Sequence, residues 1–121
     1  MPPFDWSQYL VLAKDLSTRS DEAALRSAIS RAYYAAYHRA KTFCASKAIL
    51  ITTSGGNSDH HDLWETCGKR AGITFAKVHT IGTRLKRKRK NADYDREIVG
   101  LASVVSDCIK DSDAIFFHLK P

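Results

Sequence analysis

Apolar residues recur along this chain at three- and four-residue spacing, the period of helices with one buried side, while the alternation expected of strands is weak throughout. Trp6, Tyr9, Leu10, Ala13 and Leu16 form such a stripe on a first helix, for which Asp5 is a suitable N-cap. Ser17-Thr18-Arg19 breaks the pattern. Ser20, followed by Asp21 and Glu22, predicts the next helix start, with acids where the helix dipole favours them. A long second helix over 21–46 contains no Gly or Pro and many Ala. Leu25, Ile29, Ala32, Ala36 and Phe43 share its core face, with Tyr33 and Ala40 on the flank. On the opposite side stand Ser27, Ser30, Arg31, Tyr34, His38 and Lys41, an aromatic and titratable face that is expected to meet something.

Residues 48–58 read as a surface loop, because Gly55-Gly56 and the surrounding Ser, Thr and Asn are turn formers. No Gly-Lys-Ser/Thr follows the glycines, so a phosphate loop is not indicated. Asp59-His60-His61-Asp62 suits the cap of a short helix carrying Leu63, Trp64 and Cys67. Adjacent histidines beside acids raise a metal site, but neighbours i and i+1 diverge on a helix, so capping and packing are the stronger assignment. A fourth helix from Thr74 places Phe75, Val78, Ile81, Gly82 and Leu85 on one stripe, with Gly82 allowing a close crossing. One turn further, that stripe lands on Arg89, so a cation is directed like a core residue and needs an anionic partner. The other cations of the run are expected to face solvent. Residues 91–95 read as a turn or distorted last turn, and a last helix over 96–119 buries Ile98, Leu101, Ala102, Val105, Cys108, Ile109, Phe116 and Leu119. The economical architecture is an all-α, up-and-down bundle of four main helices plus a short helix, in a single domain over 1–121.

Charge changes this picture more than composition does. The 121 residues are 44% hydrophobic, enough for one core. Lys and Arg number 19 against 13 Asp and Glu, and the net charge of +6 is matched by Arg84, Lys86, Arg87, Lys88, Arg89 and Lys90 alone. Cations concentrated in this way suit a phosphate-bearing partner, since they displace the counterions condensed on nucleic acid; a solvated helix face is the plainer alternative. Cys44, Cys67 and Cys108 form no close pair in sequence and no Cys-x-x-Cys, so they indicate neither zinc nor a disulfide framework. No metal or cofactor is called for. The amino terminus lacks the basic start and apolar run of a signal peptide, and no stretch is long enough to span a bilayer, so a soluble cytoplasmic protein is expected, with no membrane partner.

Two segments carry a family resemblance: residues 22–40, which contain Ala28-Ile29-Ser30-Arg31-Ala32-Tyr33-Tyr34-Ala35, and residues 85–95, with Arg89 before Ala92-Asp93-Tyr94-Asp95. In order and spacing they resemble the HEPN domain family (higher eukaryotes and prokaryotes nucleotide-binding), over nearly the whole chain. The resemblance implies a HEPN-like helical bundle, usually a homodimer, with a basic cleft between protomers. Many relatives are metal-independent ribonucleases, often toxins paired with a small nucleotidyltransferase antitoxin or parts of defence systems; others are binding modules. The ribonuclease members carry an Arg, four to six residues, and then a His.

At the late motif this chain departs from that pattern, because the histidine position after Arg89 falls at Tyr94, with Asp93 before it. Cleavage by a 2′-hydroxyl needs proton transfer near neutrality, to which Tyr at about 10 and Asp at about 4 are poorly matched. Arg31 and His38 meet the spacing within the second helix, about 20° apart around its axis with Tyr34 between them; a surface or dimer-contact histidine is the plainer account. The leading expectation is an RNA- or nucleotide-binding module of a toxin-antitoxin or defence system. Arg89 and the Arg84, Lys86, Arg87, Lys88 and Lys90 run would hold phosphate, with Arg31, Tyr34, Asn91 and Tyr94 as further contacts. The alternatives are an endoribonuclease using Arg89 with His38 or Asp93, and a non-catalytic scaffold for a nucleotidyltransferase.

Overall fold

A computed structural model describes residues 2–53, 55–56 and 58–120; Ser54 and Asn57 of the expected loop lie outside the described residues. The elements among these residues are α1 (Ser7–Leu16), α2 (Glu22–Ser46), α3 (Asp59–Lys69), α4 (Ile73–Tyr94) and α5 (Leu101–His118), with no strand. The all-α expectation is met. Five helices are present among the described residues, as expected, with α1 and α3 the shortest at 10 and 11 residues against 25, 22 and 18 in α2, α4 and α5. No helix among the described residues is long and apolar enough to cross a membrane.

Helix α2 is the axis of the molecule and touches each of the other four, while α3 leans chiefly on α4. Neighbours on several sides explain why its burial is not confined to one stripe: Ala28, Ile29, Ala32, Tyr33, Ala35, Ala36 and Ala40 have no exposed surface. Its run of Ala lets other backbones approach. Leu25 and Phe43, expected on the core face, are only half-buried, and Ser30, expected opposite, is buried. The Arg31–Tyr34–His38 face does meet something, namely the chain's own amino-terminal aromatics and the arginine of α4.

Local chemistry sets most boundaries. The Asp21 carboxylate accepts the Ala24 N–H at 3.3 Å, so the cap of α2 is Asp21 rather than Ser20. Ser58 caps α3 through the His61 N–H at 3.2 Å, which releases the following acids and histidines from that task. Residues 91–94 form the last turn of α4 rather than a separate turn, and α5 begins at Leu101, five residues after the expected start. Gly100, at φ 66°, is the left-handed residue that sets the later start.

The end of α4 is held from a distance. The Arg26 guanidinium, on the second turn of α2, donates to the carbonyls of Ala92 (2.9 Å), Asp95 (2.6 Å) and Arg96 (3.1 Å). These carbonyls would otherwise lack intrahelical partners. Between α3 and α4, Gly82 leaves the space taken by the fully buried Trp64 ring, which a β-carbon there would overlap. The Cys44 and Cys67 thiols, far apart in sequence, are both buried in the core, and their mutual influence draws Cys44 below and pushes Cys67 above the ordinary thiol range.

Candidate functional site

Arg89 points inward as its stripe requires, and its side chain is only 12% exposed. Its guanidinium carbon lies 5.5 Å from the Tyr33 ring centre and 5.7 Å from that of Tyr34, and Nη1 donates to Asp93 at 3.1 Å. Nε is buried and has no hydrogen-bond partner among the described residues. A cation desolvated between two aromatic faces, with one carboxylate one turn away, retains unspent donor capacity.

A histidine from another helix packs against the same tyrosines. His60, at the start of α3, stacks on Tyr37 at 4.2 Å and 22°, and lies 5.6 Å from Tyr33 and 5.7 Å from Tyr34. Arg89 and His60 thus border the same two tyrosines. His60 Nδ1 is 2.7 Å from the Tyr33 hydroxyl, which accepts the Trp64 indole N–H at 3.1 Å. Burial, then the charges of Arg89 and Lys86, hold the His60 pKa below its ordinary value. Local reasoning assigned His60 to capping and packing; only the placement of α3 over α2 reveals which rings it packs against.

His38 belongs to the same aromatic wall one step further on. Its ring stacks on Trp6 at 3.5 Å and 9°, and contacts Tyr37 at 5.1 Å and Tyr34 at 6.4 Å. Burial, then the Lys41 charge, lowers its pKa. Arg31 lies over Tyr9 at 4.7 Å and over Tyr34 at 5.4 Å, so Tyr34 stands between two guanidinium groups. The second-helix pair and Arg89 therefore share one surface.

The basic run divides in two. Lys86, Arg87, Lys90 and Asn91, with Thr83, line an open cleft of about 440 Å³ on α4. Burial and the charges of Lys90 and Arg89 lower the Lys86 pKa. Arg84, expected to face solvent, is instead clamped by Asp111 of α5, with Nε–H and Nη2–H donating at 2.9 and 2.6 Å. Lys88 lines the same α5-facing side, near Asp107 and Asp111. The reason is helical geometry: positions 84 and 88 share a face, and that face meets the acids of α5. Tyr94 is 78% exposed at the end of α4, away from the tyrosine cluster. Among the described residues no group of three His, Cys, Asp or Glu is gathered as a metal would need. No family model, no curated protein and no solved structure matches this chain.

Proposed function

We propose that the chain is a HEPN-type RNA-binding module in which Arg89 holds a backbone phosphate, and Lys86, Arg87 and Lys90 add affinity independent of sequence. The observation that carries this reading is Arg89 itself, a largely buried cation between Tyr33 and Tyr34 with an unpartnered Nε. Burying a charge is costly unless something anionic is gained, and Asp93 satisfies only part of the guanidinium. The charge of Arg89 acts on Lys86, one of three further cations that line a cleft on the same helix, where counterion release would favour a polyanion. Membership of a toxin-antitoxin or defence system, pairing as a homodimer and a nucleotidyltransferase neighbour follow from the resemblance of residues 22–40 and 85–95 and belong to this proposal. A purely scaffolding role would differ in what occupies the cleft.

One observation favours cleavage as a second reading. His60 borders the same tyrosines as Arg89, giving a metal-independent ribonuclease an imidazole that the late motif lacks. His38 and Asp93 remain its other candidates for proton transfer.

Fluorescence anisotropy with a labelled single-stranded RNA at several salt concentrations tests the binding reading. Affinity should fall steeply as salt rises, and Arg89→Ala should weaken it by roughly 10- to 100-fold, the worth of a charge-assisted contact. Salt-insensitive binding, or an Arg89→Ala variant that binds as the parent does, overturns the assignment. Cleavage by pure protein in EDTA that is lost in His60→Gln or His38→Gln would establish the second reading.

A further inference from the structure

Three side chains from α2 and α3 form a hydrogen-bond chain whose direction follows from counting protons. The Trp64 indole nitrogen can only donate, so the Tyr33 oxygen accepts at 3.1 Å. Tyr33 has no exposed surface, and burial keeps its phenol protonated far above the usual range. Its hydroxyl proton therefore needs an acceptor inside the protein, and the one in contact is His60 Nδ1 at 2.7 Å. Were Nδ1 to carry the imidazole proton, it would donate to Tyr33 and leave the buried phenolic O–H without an acceptor. An orphaned donor of that kind costs about 1–3 kcal/mol.

We propose that Tyr33 is a positioning residue that fixes His60 in the tautomer with Nδ1 as acceptor and Nε2 as the proton-bearing nitrogen, so that the site offers an anionic oxygen a neutral N–H donor beside the Arg89 cation. The ligand half of this statement rests on the phosphate-binding reading above; the tautomer half does not. The chemistry follows from the nitrogen left over. Neutral Nε2–H is a donor and a poor base, so it is suited to holding a phosphoryl oxygen and not to taking a proton from a 2′-hydroxyl. The other charged or titratable groups around His60 are Tyr34, Tyr37 and His38 on α2, Asp59 on α3, and Lys86 and Arg89 on α4. Lys86 and Arg89 favour the neutral imidazole, while Asp59 opposes them.

Nitrogen-15 NMR of the imidazoles in the free parent protein reads the tautomer directly, with His60→Gln assigning the signals. The expected result at neutral pH is an unprotonated, hydrogen-bonded Nδ1 and a protonated Nε2; a protonated Nδ1 overturns the proposal without recourse to any Tyr33 variant. Tyr33→Phe, isosteric and checked for folding by its thermal melt, should give a mixture of tautomers and a His60 pKa moved up toward the ordinary value, because the neutral form loses the bond that favours it. An unchanged tautomer and pKa in that variant would mean that Tyr33 does not position the ring. Inorganic phosphate is the ligand probe. It should shift the Nε2 resonance in the parent and not in Arg89→Ala; no shift in the parent overturns the donor role, and does so whether or not RNA itself binds.

Discussion

Arg89 stands where the proposed function and stability pull in opposite directions. Among the described residues its Nε is orphaned, and its carboxylate partner, Asp93, is 35% exposed. Removing one partner of a buried ion pair is costly when it strands the other charge, but Asp93 is exposed enough to be hydrated instead. Arg89→Met is therefore expected to leave the melting temperature nearly unchanged while, under the proposed function, weakening RNA binding roughly tenfold or more. Calorimetry and anisotropy on the same preparation check both halves. Gly82 gives the opposite case: the β-carbon in Gly82→Ala would overlap the Trp64 ring, and overpacking of about 1–3 kcal/mol should outweigh the roughly 1 kcal/mol gained in helix propensity. The urea midpoint should fall. His38 and His60 are both held neutral to lower pH than in the unfolded chain, which binds the extra protons below about 6.5. Their contribution is full above that pH and is lost as pH falls toward the folded-state values. Urea midpoints at pH 7.5 and 5.5 should thus differ less in a His38→Gln, His60→Gln double variant than in the parent.

At the scale of elements, the comparison between pattern and structure turns on how far away the decisive partner lies. The bounds of α2 were legible because Asp21, the Ala run and the absence of Gly and Pro are all local. The end of α4 was not. Asn91 and Asp93 favour a turn on their own, yet the helix runs on through Tyr94 because Arg26, 66 to 70 positions earlier, holds the carbonyls of Ala92, Asp95 and Arg96. Arg26→Ala is expected to cost about 1–3 kcal/mol, and Arg26→Lys to recover little of it, since an ammonium lacks the planar fork that reaches several carbonyls. Amide exchange should quicken at 94–100 in both variants. The inward course of Arg89 was readable from the apolar stripe, whereas the company of His60 depends on α3 folding back over Tyr33 and Tyr37, which no spacing along the chain encodes.

Over the whole molecule, the net charge of +6 is a poor guide to where a polyanion would sit. Arg84 is neutralised by Asp111, Lys14 by Asp113 and Arg19 by Asp21, and Arg26 is committed to carbonyls and Glu22. The basic run thus resolves into an outward group of Lys86, Arg87 and Lys90 and a pair, Arg84 and Lys88, turned toward the acids of α5. Each of Lys86→Ala, Arg87→Ala and Lys90→Ala should flatten the dependence of log affinity on log salt by about one unit, while Arg84→Ala should leave that slope nearly intact and lower stability instead. The pairing of Trp6 with His38 has an optical consequence. Of the two tryptophans, Trp64 is sealed in the core, whereas Trp6 lies flat on a ring that titrates. A protonated imidazole quenches indole emission, so acidification should dim Trp6 alone, and the fluorescence of a Trp64→Phe protein becomes a built-in reporter of what approaches His38.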